Sequence, residues 1–232
     1  MTFSYKLVLA ELLGKKNNKQ AENLQRFFKT AKGQYAYGDL FLGIKVPVQR
    51  LVAKKFINLP LSEIQKIINN KYHECRLTAL LILTYQYPKA TPKQQKEIYD
   101  FFLKNISYIN NWDLVDLSSP NIIGKYLLNH SRRPLYNLVK SKNLWHRRIA
   151  IISTFSFIRN MEFSDTVKLA KLLLKDKEDL IHKAVGWMLR EMGKRDEKLL
   201  IEFISENKDK MPRTMYRYAI EKLDKSQLCG LQ

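Results

Sequence analysis

The chain has 232 residues, 45% of them hydrophobic, which is enough to bury a sizeable core and too many for a disordered polyelectrolyte. Its 41 Lys and Arg against 22 Asp and Glu leave a formal charge of +19, which points to a polyanionic partner. Nucleic acid stands first, an anionic membrane surface is the third option, and a merely solubilising surface is the bland alternative. Only 8 Gly and 7 Pro occur, sparse punctuation for an all-β chain of this length, so composition leans helical.

Apolar residues recur at three- and four-residue spacing from end to end. The first predicted helix, 3–14, carries Phe3, Leu7, Ala10 and Leu13, and the second, 19–31, carries Ala21, Leu24, Phe27 and Phe28. Glu11 inside the first apolar run, with no small-residue cleavage pattern after it, makes residues 1–14 an amphipathic helix rather than a signal peptide. No run approaches the ~20 apolar residues of a membrane span. The stretch Gly33 to Pro47 is apolar but irregular and reads as an ordered loop packed on the helices. Pro47 then suits the first turn of a helix through Phe56.

Further helices are predicted over 61–70, with Ser62 as N-cap, over 73–87, and over 93–104, opened by Thr91 and Pro92. The rest fall at 112–128, 132–141, 145–159, 163–174, 177–192, 195–207, with Asp196 as N-cap, and 212–224. Helices of this length on short loops imply an all-α array of stacked antiparallel helix pairs in a single domain, 1–232, whose repeat is structural because no crisp sequence period is visible. A curved array would offer a concave face for the basic surplus. Cys75 and Cys229 share no ligand spacing and the 4 His are scattered, so neither a disulfide framework nor a protein-bound metal is expected.

Charge is locally concentrated. Between Asp116 and Glu162 there is no acidic residue, yet the interval holds Lys125, Arg132, Arg133, Lys140, Lys142, Arg147, Arg148 and Arg159. A second acid-free stretch, Leu40 to Ser62, carries Lys45, Arg50, Lys54 and Lys55. Each cation that meets a phosphate releases a counterion; about half of these are expected to do so, the rest being solvated helix faces.

Asn110 and Asn111 precede Trp112-Asp113-Leu114-Val115-Asp116, a helix start that stacks Trp112 above Asp116 one turn on. An aromatic wall beside a carboxylate can exclude solvent while the carboxylate stabilises a developing cation. The bland alternative is a core Trp beside a structural acceptor. In the helix at 177–192, Ile181, Ala184, Val185, Met188 and Leu189 form the buried stripe, and Trp187 lies beside it with Lys183 at i−4 and Arg190 at i+3. That is a sugar or base platform, or a half-buried packing residue. Arg147-Arg148 in a first helical turn opposes the helix dipole, a small conflict that hints at function unless both side chains point to water.

In this order, Phe41-Leu42-Gly43-Ile44-Lys45-Val46-Pro47, Trp112 to Asp116, Leu144-Trp145 through Arg148, and Ala184-Val185-Gly186-Trp187-Met188-Leu189-Arg190-Glu191 resemble the HEAT-like-repeat alkylpurine DNA glycosylases of the AlkD type. The resemblance covers nearly the whole chain. It implies an α-solenoid of HEAT-like repeats with a basic concave groove for duplex DNA, and a monofunctional, metal-free and cofactor-free excision of N3- or N7-alkylated purines. By motif position it implies a catalytic set of Asp116, Trp112, Trp187 and Arg148. Phe27, Lys45, Arg147, Lys183 and Arg190 are expected to face DNA. The expected partner is double-stranded DNA with alkylated purines, and the expected protein is a cytoplasmic, nucleoid-associated monomer away from membranes. Phe27 departs from the pattern, standing where active members have a Tyr, and the segment Lys32 to Asp39 is longer than the family implies. The alternative is a non-catalytic repeat protein that binds damaged or branched DNA.

Overall fold

In the computed structural model, which describes residues 4–224, all regular secondary structure among the described residues is helical, apart from one isolated parallel bridge between Leu40 and Tyr72. The chain forms two compact units, Met1–Ser118 and Ser119–Gln232. Cys229 lies outside the described residues.

The first unit holds α1 (Tyr5–Leu13), α2 (Asn18–Phe27), α3 (Val46–Lys55), α4 (Leu61–Ile68), α5 (His73–Gln86), α6 (Pro92–Lys104) and α7 (Trp112–Ser118). Every residue of α5 from His73 to Leu83 is buried. Its sequence is apolar around the whole circumference rather than on one stripe, as a central helix requires. Helices α3 and α4 pack on it, and α1 packs on both of them through Val8 and Leu12. Thr91 opens α6 as expected and closes a capping box with Gln94, Thr91 N donating to Gln94 Oε1 at 2.9 Å and Gln94 N to Thr91 Oγ1 at 3.4 Å. Ser62 is not an N-cap. Pro60 takes that position, its extended backbone turning the carbonyl onto the amides of Glu63 and Ile64 at 2.9 and 3.0 Å, so the helix starts earlier.

The second unit opens with a π-helical turn, Pro120–Gly124, and α8 (Lys125–Leu127). Then come α9 (Arg133–Leu138), α10 (Leu144–Ser153), α11 (Phe155–Arg159), α12 (Ser164–Leu173), α13 (Asp179–Gly193), α14 (Glu197–Asn207) and α15 (Arg213–Ile220). Asp196 caps α14 as expected, accepting from Leu199 N at 2.9 Å. Two predicted helices are broken. The 112–128 segment is interrupted at Pro120, which has no N–H to donate, and the Gly124 amide reaches back to Ser119 O at 2.9 Å. The 145–159 segment divides at Thr154, where Ser153 and Thr154 hydroxyls donate to the carbonyls of Ile149 and Ile151, both at 2.7 Å, and compete with the backbone ladder. Helix α13 is the hub of this unit, packed by α10, α12, α14 and α15, with Ile181, Ala184, Val185, Met188 and Leu189 fully buried.

Candidate functional site

In the first unit, the end of α2 sorts two adjacent rings. Lys29 adopts a left-handed φ of 55° directly after the helix. Before that turn, Phe28 is sent inward at 6% exposure and Phe27 stays 62% exposed. Phe28 stacks on Trp112 with centroids 5.3 Å apart, and Phe27 meets the same indole edge-on at 6.0 Å. Phe41 stacks on the other side of Phe28 at 5.1 Å, and the His73 ring lies 5.0 Å from Phe28 and 4.7 Å from Phe41. Trp112 is therefore half-buried at the outer end of an aromatic column. The buried Asn111 side chain accepts from Trp112 N at 2.8 Å and starts α7 where the sequence placed it. Asp116, also half-buried, follows Trp112 by one turn on the same helix.

Beneath the column is a charged cluster that sequence reasoning missed. His73 Nε2 is 2.8 Å from Asp113 and Nδ1 is 3.4 Å from Asp39. Arg76 donates to Asp39 at 2.7 Å and to Asn110 at 3.1 Å. All four charged groups are buried, and two positive and two negative charges offset one another. Burial disfavours the His73 imidazolium, but the charge and hydrogen bond of Asp113, helped by Asp39, outweigh it and push the pKa up to about 9. Asp39 is likewise penalised by burial yet held below the usual carboxylate range by His73 and Arg76. Burial and the neighbouring Glu74 push the Cys75 thiol up to about 12, so it is no nucleophile at neutral pH. A signal was present in the sequence: His73, Glu74 and Arg76 open a helix that is otherwise apolar on all sides.

The Glu74 carboxylate accepts from the backbone amides of Leu42, Gly43 and Ile44 at 2.8, 2.8 and 3.2 Å. Gly43 has φ 84°, and a Cβ there would stand 2.0 Å from the Asn17 carbonyl oxygen, so the loop lies backbone against backbone on the start of α2. Lys45 follows as the exposed N-cap of α3, with no carboxylate in ion-pair range among the described residues.

The cluster makes stability pH-dependent. The His73 contribution is fully present below the ordinary imidazole value of 6.5, falls as pH rises from there, and is gone above about 9. The Asp39 contribution has the opposite sense, being lost as pH falls below the carboxylate range. Urea unfolding at pH 6 and pH 9.5 is expected to show about 1–3 kcal/mol less stability at the higher pH, a difference that His73→Gln removes. Equal pH dependence in the two proteins would mean that the imidazole is neutral in the fold.

In the second unit, Trp187 is half-buried on α13, its Nε1 donating to Glu191 at 3.3 Å and its ring 5.7 Å from Phe155. Glu191 is buried and also takes Lys194 at 2.6 Å, so the indole is tethered to a carboxylate whose charge is compensated. Arg148, on α10, is 5% exposed and donates to the Leu180 carbonyl, two turns before Trp187 on α13. Neither member of the arginine pair simply points to water. Arg147 forks onto Asp176 at 2.6 and 3.2 Å and onto the carbonyls of Ser141 and Lys142 at 3.0 and 2.9 Å. Lys183 pairs with Asp179 at 2.7 Å, and Arg190 with Glu221 and, at 3.8 Å, with Glu191.

The acid-free interval is partly neutralised from outside. Arg132 bonds Glu162 and Asp165, and Arg159 lies 4.0 Å over the Phe155 ring. Arg133, Lys140 and Lys142 are exposed and have no ion pair among the described residues. Among the described residues there is no group of three or more His, Cys, Asp or Glu able to hold a metal ion, and no helix is long and apolar enough to cross a membrane.

Residues 8–223 match the family model described as DNA alkylation repair enzyme. No curated protein matches the sequence. Among solved structures, a predicted DNA alkylation repair enzyme from Enterococcus faecalis superposes with a TM-score of 0.71 at 19% identity, covering 90% of this chain and 97% of its own. AlkD2 from Streptococcus mutans gives 0.56 at 16% identity, over 89% of this chain and 98% of its own. The protein smu.31 from Streptococcus mutans UA159 gives 0.53 at 16%, over 95% and 99%. At such identities the likeness establishes the helical-repeat fold.

Proposed function

Because the chain belongs to the DNA alkylation repair enzyme family, we propose that it is a monofunctional DNA glycosylase for purines made cationic by alkylation at N3 or N7. The observation that carries this reading is Asp116 one helical turn from an indole, Trp112, that a stack of buried rings holds in place. Alkylation turns the purine into a good leaving group. As the N-glycosidic bond breaks, the sugar becomes oxocarbenium-like, and an anionic Asp116 stabilises that cation and aligns the attacking water. Trp112 presents an apolar wall to the deoxyribose. In the second unit, Trp187 keeps the role of a sugar platform, and Arg148 contributes its charge to a flanking phosphate while its bond to Leu180 holds α10 to α13. Of the expected DNA contacts, exposed Lys45 fits most directly, whereas Arg147, Lys183 and Arg190 would meet phosphate only by sharing or exchanging their carboxylates. The reading takes alkylated duplex DNA as partner, a monomer as the working form and the cytoplasmic nucleoid as its place, without metal or cofactor.

The test is release of free base from duplex DNA containing 7-methylguanine. Wild type is expected to release it, and Asp116→Asn to be slower by about 100-fold or more with DNA affinity kept. Loss of binding and excision in parallel would remove Asp116 from the chemistry.

A second reading rests on Phe27. Its exposed ring has no hydroxyl to offer a phosphate or water. A non-catalytic binder of damaged or branched DNA would show tight, salt-sensitive binding and no release by either protein.

A further inference from the structure

We propose that His73 is a positioning residue for the Trp112–Asp116 face of α7, fixing the first turn of that helix and the plane of the indole through one hydrogen bond and one tilted ring contact. The inference rests on the glycosylase reading for its kinetic consequence, though not for its structural one. His73 reaches α7 by two routes. Its Nε2 bonds Asp113, the residue next to Trp112, at 2.8 Å. Its ring is tilted by 36° against Phe28 with centroids 5.0 Å apart, and Phe28 in turn stacks on Trp112 at 5.3 Å. The hydrogen bond holds the first turn of α7, and the ring contact, passed on through Phe28, sets the tilt of the indole. A residue that holds the carboxylate of Asp113 and, through Phe28, the ring of Trp112 leaves α7 little room to rock.

The groups around the imidazole explain why it is histidine. Asp113 faces it from α7 and Asp39 from the loop before α3; Glu74 and Arg76 are its neighbours on α5, and Asn110 lies beyond Asp39. Arg76 is committed to Asp39, which leaves His73 as the cation in ion-pair range of Asp113 among the described residues. An apolar ring there would keep the ring contact and leave Asp113 Oδ2 without its donor, with Oδ1 still accepting from Leu114 N; a flexible polar chain would keep the bond and lose the ring contact. An imidazole does both and can also carry a positive charge beside Asp113. Trp112 is at the surface end of the column, so slack introduced at His73 is delivered to the face that carries Asp116. A misplacement on the order of 1 Å at a reacting group costs up to about 100-fold in rate.

The two functions can be separated with His73→Phe, which keeps an aromatic ring, and His73→Gln, whose amide nitrogen replaces Nε2 as donor to Asp113. The protein is labelled with 5-fluorotryptophan, and the Trp112 resonance is assigned by its disappearance in Trp112→Phe. In His73→Phe the Trp112 resonance is expected to shift or broaden while those of Trp145 and Trp187 stay in place, and His73→Gln to restore it in part. Single-turnover excision of 7-methylguanine should fall about tenfold or more in His73→Phe, with partial recovery in His73→Gln and duplex affinity within about twofold of wild type throughout. A Trp112 resonance unmoved in both variants overturns the proposal, as does a uniform change of all three resonances with affinity lost alongside excision. Should His73→Phe fail to fold, His73→Gln decides alone: a displaced Trp112 resonance with affinity kept supports the role, and wild-type spectra overturn it. Absence of excision by the wild type would sink the glycosylase reading and leave the fluorine spectra to judge the positioning of Trp112.

Discussion

Glu74→Ala is expected to lower the melting temperature by about 10 °C or more, the largest stability loss predicted for a single side chain outside the apolar core. Three backbone amides, those of Leu42, Gly43 and Ile44, converge on this carboxylate, and no water reaches it at 1% exposure. Removing it strands donors in a closed site, each costing about 1–3 kcal/mol, so roughly 3–5 kcal/mol in total after relaxation. For a domain of this size each kcal/mol shifts melting by about 2–4 °C. Glu74→Gln should fall between, because its amide oxygen still accepts while its NH2 faces an N–H. The loop it holds also receives the Asn17 amide on Leu42 O at 2.9 Å, so α2 and α3 are expected to loosen together. Scanning calorimetry decides, and an Ala variant melting within 2 °C of wild type on this ~10 °C scale would show that the loop finds other acceptors.

The second large effect is expected at Gly186, immediately before Trp187. A Cβ there would lie 2.5 Å from the Met215 carbonyl oxygen and 2.5 Å from Tyr218 Cβ, both on α15. These are backbone and near-backbone atoms that cannot swing aside, so Gly186→Ala must push α13 and α15 apart. The cost is about 3 kcal/mol, the upper part of the overpacking range. Since the same helix carries Trp187 and its tether Glu191, the variant should also change Trp187 fluorescence before global unfolding begins. A wild-type denaturation midpoint with an unchanged emission spectrum would mean that the two helices separate without penalty.

Much of the fold was legible in the sequence because helical periodicity is a local signal. The stripe from Ile181 to Leu189 is buried as its spacing dictated, and Thr91 and Asp196 cap as their chemistry predicted. The breaks were harder for opposite reasons. Pro120 marks its own break, but apolar residues continue at helical spacing on both sides of it. Thr154 gave almost no sign, since serine and threonine interrupt a helix only when their hydroxyls turn back to the backbone.

At the candidate site, the Trp112 to Asp116 spacing was readable, and of the His73 cluster only the polar start of α5 was. Its members come from positions 39, 73, 76 and 113, and nothing local links them. The charge run misled in a related way. Arg132 and Arg147 looked unopposed because their carboxylates, Asp165 and Asp176, lie beyond the interval in sequence and next to them in space.

Those partners share a regularity that bears on how the chain reaches its fold. Arg132 meets Asp165 after 33 residues, Arg147 meets Asp176 after 29, Arg148 meets Leu180 after 32 and Arg76 meets Asp39 after 37. Each link closes a loop of about one helical pair, so the closure entropies differ by only tenths of a kcal/mol and no single distant encounter has to be won first. Links of this span let neighbouring helical pairs join in turn as the chain leaves the ribosome, each pair closing on the one before it.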